Sequence, residues 1–352
     1  MSHLKQICVC RNDRIGDLIM TTPVLKTIRK NWPKSKITLL CSLVNSKVLE
    51  NSNLIDDLII ADNKHSLIKK FKTLKLIREK SFDLYINFSP SNLSYIYCFF
   101  SGATKKATLI FLSRYKKRFS KIFQKFFSKI YCQHVFVVNR QYRFSKEMDI
   151  HQTIMMFTLI KKIFKKSFLY PDLEIPVISN LEKKITKIFS KKIITIHLSK
   201  RWINDYYNIN DLKKLIFNLK KNKKYILFLT TEQYKDSKFK DITRNFIYLN
   251  IKDFFNRKLI NKKIKKSNVF ILDNFEYNNW ISIIKQSFKV ITPESGCIHV
   301  AAAFKVPVFV IYNMNNYPEY IYNEYSPWKS KHTKLLFKVN NNINKLILKK
   351  LN

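Results

Sequence analysis

The sequence predicts an α/β protein of two domains, each a parallel sheet covered by helices. Three observations predict it. Short β-branched apolar runs alternate with amphipathic segments along the chain. The alternation breaks at a stretch with two prolines and then resumes. The length, 352 residues, suits two domains of ordinary size better than one. With 46% hydrophobic and 14% aromatic residues, the chain can bury sizeable cores, which excludes a wholly disordered protein.

In the first half, Gln6 to Cys10 reads as a strand and Gly16 to Lys30 as a helix with Leu18, Leu25 and Ile28 on one face. Ile37 to Cys41, Leu58 to Ala61 and Asp83 to Phe88 follow as strands, the last after a helix over Leu67 to Lys80. Leu84 to Thr104 carries no charge and is long enough to span a bilayer. Its serines, asparagines, proline and glycine suit a lipid-facing helix poorly, so it reads as strand, loop and buried helix. Helical pattern returns over Asp149 to Phe164.

Tyr170 to Pro176 holds two prolines and cannot be regular helix, which sets the division at residues 1–170, a linker at 171–190 and a second domain at 191–352. The second set of strands is Ile193 to His197, Tyr225 to Thr230, Lys289 to Thr292 and Val306 to Tyr312. A last helix, Asn342 to Leu351, is open to packing back on the N-terminal domain. Two such halves imply a central cleft, the usual place for a ligand.

The formal net charge is +42, from 66 Lys and Arg against 24 Asp and Glu. Such a chain is drawn to polyanions: nucleic acid, an anionic membrane surface or a phosphorylated substrate. Lys far outnumbers Arg, and Asn, Ile, Phe and Tyr abound while Gly numbers 3, so codon bias is a competing origin of the charge. Basic clusters such as Lys116 to Arg118 and Lys262 to Lys266 read as solvated faces. The basic residues are dispersed without a recognition motif, which disfavours a specific nucleic-acid binder. Six scattered cysteines form no CxxC pair and read as buried thiols in a reducing compartment. The N-terminus runs into a strand without a signal-peptide core, so a cytoplasmic protein is expected. Asp-x-Asp, GxGxxG and P-loop patterns are absent, as is any zinc-ligand histidine pair.

Two segments carry chemistry. After the first strand come Arg11-Asn12-Asp13-Arg14-Ile15-Gly16-Asp17 and then Thr21-Thr22-Pro23. Gly16 falls where strand turns into helix and Asp17 in the first helical turn. Asp17 is either an acid stabilising the helix dipole or a carboxylate ready to accept a proton. Near the other end, Lys289 to Thr292 leads into Pro293-Glu294-Ser295-Gly296-Cys297-Ile298-His299 and an alanine run. A small-residue turn entering a helix presents N–H groups to a phosphate, or it simply starts a helix that packs on the sheet.

Both segments resemble family 9 glycosyltransferases, the family of the ADP-heptose:lipopolysaccharide heptosyltransferases, and the resemblance follows the chain in order. It implies the GT-B architecture, two Rossmann-like domains facing a central cleft, and inverting, metal-independent transfer of a heptose from ADP-heptose to the lipopolysaccharide inner core. By that resemblance Asp17 is the general base, with Asp13 the competing candidate, and Asp13, Arg14 and Thr22 lie on the acceptor side. Gly16, Ser295, Gly296, Cys297 and His299 belong to the donor side. Glu294 replaces the family's usual Asp, which leaves the donor sugar open. His197 to Trp202 is similar to the family's Lys-x-Trp element, which implies that Lys200 meets the donor phosphate; Glu232 is carried over as the acid meeting the nucleotide ribose. The resemblance implies no cofactor and no metal. Its partners are a nucleotide-sugar donor and a lipid-linked anionic acceptor at the cytoplasmic face of the inner membrane.

Overall fold

A computed structural model describes residues 4–112, 115, 117–138, 151–177, 179–199, 201–202, 209–231, 236–272, 275–313, 318–337 and 342–351. Lys200 and Glu232 lie outside the described residues. The chain divides into two compact units, Met1–Pro176 and Val177–Asn352. Each is a wholly parallel sheet with helices on both faces.

The first unit is a six-stranded sheet built from β1 (Gln6–Cys10), β2 (Lys36–Cys41), β3 (Asp57–Ile60), β4 (Leu84–Asn87), β5 (Lys105–Phe111) and β6 (His134–Val138). Their order is β3-β2-β1-β4-β5-β6. β1 and β4 are buried along nearly their whole length, as strands covered on both faces must be. One face is packed by α1 (Ile15–Asn31) and α6 (Gln152–Phe164), joined by Thr153 donating to the Met20 carbonyl. On the other, α3 (Leu67–Glu79), α4 (Asn92–Phe100) and α5 (Arg118–Tyr131) share a core that includes Ile77, Tyr97, Cys98 and Cys132. The uncharged Leu84–Thr104 stretch is thus a strand, a loop and a helix. Among the described residues no helix is long and apolar enough to cross a membrane.

Helix α1 contains Pro23, which cannot donate to the carbonyl of Ile19 four residues back. The Thr22 hydroxyl donates to that carbonyl instead, at 2.7 Å, and accepts the Glu174 N–H at 3.0 Å. The Thr-Pro pair therefore repairs its own helix and fastens the end of the unit to it. Asp17 in the first turn and Arg29 and Lys30 in the last complement the helix dipole.

The second unit orders seven strands as β13-β12-β11-β7-β8-β10-β9. These are β7 (Lys192–His197), β8 (Tyr225–Thr230), β9 (Ile247–Leu249), β10 (Val269–Leu272), β11 (Lys289–Pro293), β12 (Val308–Asn313) and β13 (His332–Phe337). The later part of the 171–190 segment is helical: α7 (Leu181–Ile188) buries Leu181 and Ile185 against Phe228 and Phe270. The final helix, α14 (Ile343–Leu351), packs in this unit beside α8 (Ile209–Lys221). It is held by Asn344 donating to the Asp211 carbonyl and by the Tyr225 hydroxyl donating to the Leu351 carbonyl. All six cysteines are buried.

Candidate functional site

In a doubly wound sheet the chain leaves its first strand in one direction and later returns to build in the other. The strands at that reversal splay their carboxyl ends apart and leave a crevice for a ligand. In the first unit the reversal lies between β1 and β4, which pair from Ile7–Leu84 to Cys10–Asn87. Arg11, Asp13, Arg14, Gly16 and Asp17 all follow β1 directly.

Arg11 organises this end of the sheet. Its side chain is only 2% exposed, yet it makes two ion pairs: Nε to Asp13 Oδ1 and Nη2 to Asp17 Oδ1, both 3.0 Å. Nη1 donates to the Phe88 carbonyl just past β4 at 2.7 Å. One guanidinium therefore bridges both strands of the reversal and fixes two carboxylates in a planar fork. Around it, Asn12 donates to the Ala61 carbonyl and accepts from the Ser89 and Ser91 hydroxyls. Asn45 donates to the Arg11 carbonyl. The loops after β1, β3 and β4 are thus held as one polar network.

Burial pushes the Asp13 carboxyl up to about 7; the Arg11 cation opposes the rise and the Asp17 charge adds to it. Arg14 is exposed at the N-cap of α1 and makes no side-chain cap bond. Gly16 is buried as the second residue of α1, already within the helix that follows β1. Thr22 is fully buried and its hydroxyl serves the helix repair described above.

In the second unit the reversal lies between β7 and β11, paired from Ile194–Lys289 to Ile196–Ile291. Leu198 to Trp202 follow β7; Glu294 to His299 follow β11 and open α12 (Gly296–Ala303). The two segments meet through Arg201, whose guanidinium pairs with the Glu294 carboxylate and donates to the Glu294 carbonyl at 2.9 Å. The longer acid at 294 is thereby committed to a protein cation that sequence reasoning did not single out. Ser295 sits at the N-cap of α12 without a side-chain cap bond; its hydroxyl lies 3.2 Å from that of Thr292. Ser295 and Gly296 are partly exposed, whereas Cys297 and His299 are buried, as is every residue of α12 from Cys297 to Ala302. The entry to α12 is therefore a helix terminus with small, accessible residues, suited to an anion.

Trp202 is buried and its indole donates to the His197 carbonyl at 2.6 Å. The His197 ring contacts the Thr230 hydroxyl at 3.0 Å through Nδ1, and burial pushes its imidazole down to about 4. It is neutral at pH 7. Because the unfolded chain takes up that proton near 6.5, stability from this group is complete above that pH and is lost as pH falls through about 4. The full effect is about 3 kcal/mol. Relative to the parent, His197→Gln is expected to lose less stability between pH 7 and pH 4 in a urea-unfolding series; an unchanged difference between the two proteins across that range would exclude this origin.

Among the described residues no group of three or more His, Cys, Asp or Glu is gathered where it could hold a metal ion. No protein-family model matches the chain, and no curated protein does. Solved structures do resemble it. A glycosyl transferase family 9 protein from Veillonella parvula is 16% identical with a TM-score of 0.69, covering 98% of this chain and 91% of that one. The Escherichia coli heptosyltransferase WaaC with ADP is 11% identical, TM-score 0.66, covering 98% of each chain. The E. coli ADP-heptose lipopolysaccharide heptosyltransferase II is 14% identical, TM-score 0.66, covering 99% of this chain and 100% of that one. At such identities the likeness is one of fold, and it runs the length of the chain: an α/β protein of the GT-B type.

Proposed function

We propose that this chain is a family 9 glycosyltransferase that moves a heptose from ADP-heptose to the lipopolysaccharide inner core, with inversion and without a metal. The observation that carries the reading is the position of the two motifs. Each follows a strand beside its own sheet's reversal, where an α/β fold leaves room for a ligand. The whole-chain fold likeness to heptosyltransferases supports it further.

In this reading the Asp17 carboxylate takes the proton of the acceptor hydroxyl. The oxygen's electron pair forms the new bond to the anomeric carbon on the face opposite the diphosphate. The bond from that carbon to the phosphate oxygen breaks, and its electrons leave on ADP. Arg11 positions Asp17 through the 3.0 Å pair, while Asp13 is held by the same cation. The N–H groups opening α12 and Lys200 stabilise the departing diphosphate. Glu232 meets the ribose, and Ser295 and Gly296 meet the donor, with Cys297 and His299 buried in the first turn of α12. The acceptor is lipid-linked and anionic, reached at the cytoplasmic face of the inner membrane.

A second reading keeps the chemistry and changes the sugar. It is favoured by Glu294, whose carboxylate is paired with Arg201. A thermal-shift screen of ADP-heptose against other ADP, UDP, GDP and TDP sugars separates the two. ADP-heptose is expected to stabilise the protein most; stabilisation by a non-adenine donor alone would overturn the heptose assignment.

A further inference from the structure

Helix α5 is inside out. It packs on β5 and β6; Ser120, Gln124, Phe127 and Tyr131 are half-buried along one side, and Ser128 is its one fully buried residue. Gln124 and Ser128 bond to each other on that inner side, Nε2 to Oγ at 3.2 Å. The apolar stripe of the helix, Phe119, Ile122, Phe123, Phe126 and Ile130, follows 3–4-residue spacing and faces away from the sheet. These side chains are 53–77% exposed. An ordinary surface helix does the opposite, turning such a stripe to the core.

The flank of the stripe says what covers it. At 100° per residue, Arg118, Lys121, Lys125 and Lys129 form a neighbouring row, and α5 contains no acidic residue. The adjoining helix α4, whose Phe99 packs on Phe127 and Tyr131, adds exposed Ile96 and Phe100 to the same side of the sheet. An apolar face edged by lysines matches acyl chains edged by anionic headgroups. A second copy of this chain would bring another +42 charge and an identical basic row to the contact, so self-association is opposed by repulsion.

We propose that α5 is a membrane-docking helix, lying in the interface of an anionic bilayer with its Phe119–Ile130 stripe among the acyl chains. This specifies the element behind the membrane contact in the reading above, but it does not depend on transfer chemistry. Lys117 and Arg118, exposed at the start of α5, then have a role beyond solvation, gripping headgroups while the aromatic stripe inserts.

Vesicle flotation tests it with the full chain and no substrate. Vesicles of phosphatidylethanolamine and phosphatidylglycerol at a 3:1 ratio are compared with pure phosphatidylcholine. The chain is expected to partition at least about tenfold more strongly onto the anionic vesicles. The triple variant Phe119→Gln/Phe123→Gln/Phe126→Gln, altered only at exposed positions, should lose at least about tenfold of that partitioning. It should unfold at the parent's temperature and keep the parent's nucleotide-sugar thermal shift. Parent-like flotation by the triple variant would overturn the proposal. So would a concentration-dependent dimer in sedimentation that the triple variant abolishes. Because flotation needs neither donor nor acceptor, its failure leaves the transferase reading standing, and the converse holds.

Discussion

Asp17→Asn is expected to lower turnover by about 10²–10⁴-fold, the range that a lost general base commands. Asn keeps the size and shape of the side chain and can still meet Arg11, but it cannot accept the acceptor's proton. Donor affinity should stay within about threefold, because in this reading the donor is held by residues after β7 and β11, and 3-fold is under 1 kcal/mol. The measurement is a paired one: turnover with saturating substrates, and donor dissociation by calorimetry. Asp13→Asn supplies the control. If it abolishes turnover while Asp17→Asn does not, the base is Asp13, whose raised proton affinity also suits that task.

The second large effect is structural. Arg11→Met should destabilise the first unit by about 3–5 kcal/mol, the usual cost of removing one partner from a buried charge cluster. The change deletes the pairs to Asp13 and Asp17 and the bond to the Phe88 carbonyl, leaving two poorly solvated carboxylates beside each other. Urea unfolding reads the loss. Adding Asp13→Asn to Arg11→Met should recover a substantial part of it, since one uncompensated charge is gone. A loss of less than about 1 kcal/mol would place Arg11 among ordinary surface pairs.

The pH dependence has a definite sign. Asp13 holds its proton to about pH 7 when folded against an ordinary 3.8, so the folded chain binds more protons between these values. Stability from this group is complete at the acid end and is lost as pH rises through about 7. Arg11 opposes that rise in proton affinity, so the deficit of Arg11→Met should shrink on acidification. His197 in the other unit acts with the opposite sign, and the two contributions offset each other over much of the interval from pH 4 to 6.5.

Much of the fold was legible because parallel strands buried on both faces read as short apolar runs. β1 and β8 match those runs residue for residue, and β2, β3, β4, β7, β11 and β12 match within one or two residues at each end. β5, β6, β9, β10 and β13 escaped. Several are short, and β5 opens on two lysines, so pattern alone does not separate them from the helices around them. α5 was hidden differently. Its stripe has ordinary helical spacing, and only the folded chain shows that it points outward.

The site divides in the same way. Asp13, Asp17 and Ser295 were legible as local motifs, and the structure adds the strand reversals beside which they sit. Arg11 belongs to the motif, but its bridge to Phe88 spans 77 positions, and the Arg201–Glu294 pair spans 93. Such couplings depend on strand order, which no local pattern contains. Thr22 shows the reverse. A position that resembles a ligand contact spends its hydroxyl on the carbonyl that Pro23 leaves without a donor.

A nucleotide-sugar transferase of the heptosyl type must carry out the transfer in a purified system. Purified protein is incubated with ADP-heptose and vesicle-borne lipopolysaccharide inner-core acceptor, with chelator present, and the product's anomeric configuration is read by NMR. The expected result is stoichiometric release of ADP and a heptosylated acceptor of inverted configuration. Absence of transfer from ADP-heptose and from every other nucleotide sugar, by protein that is folded and bound to the vesicles, would contradict it.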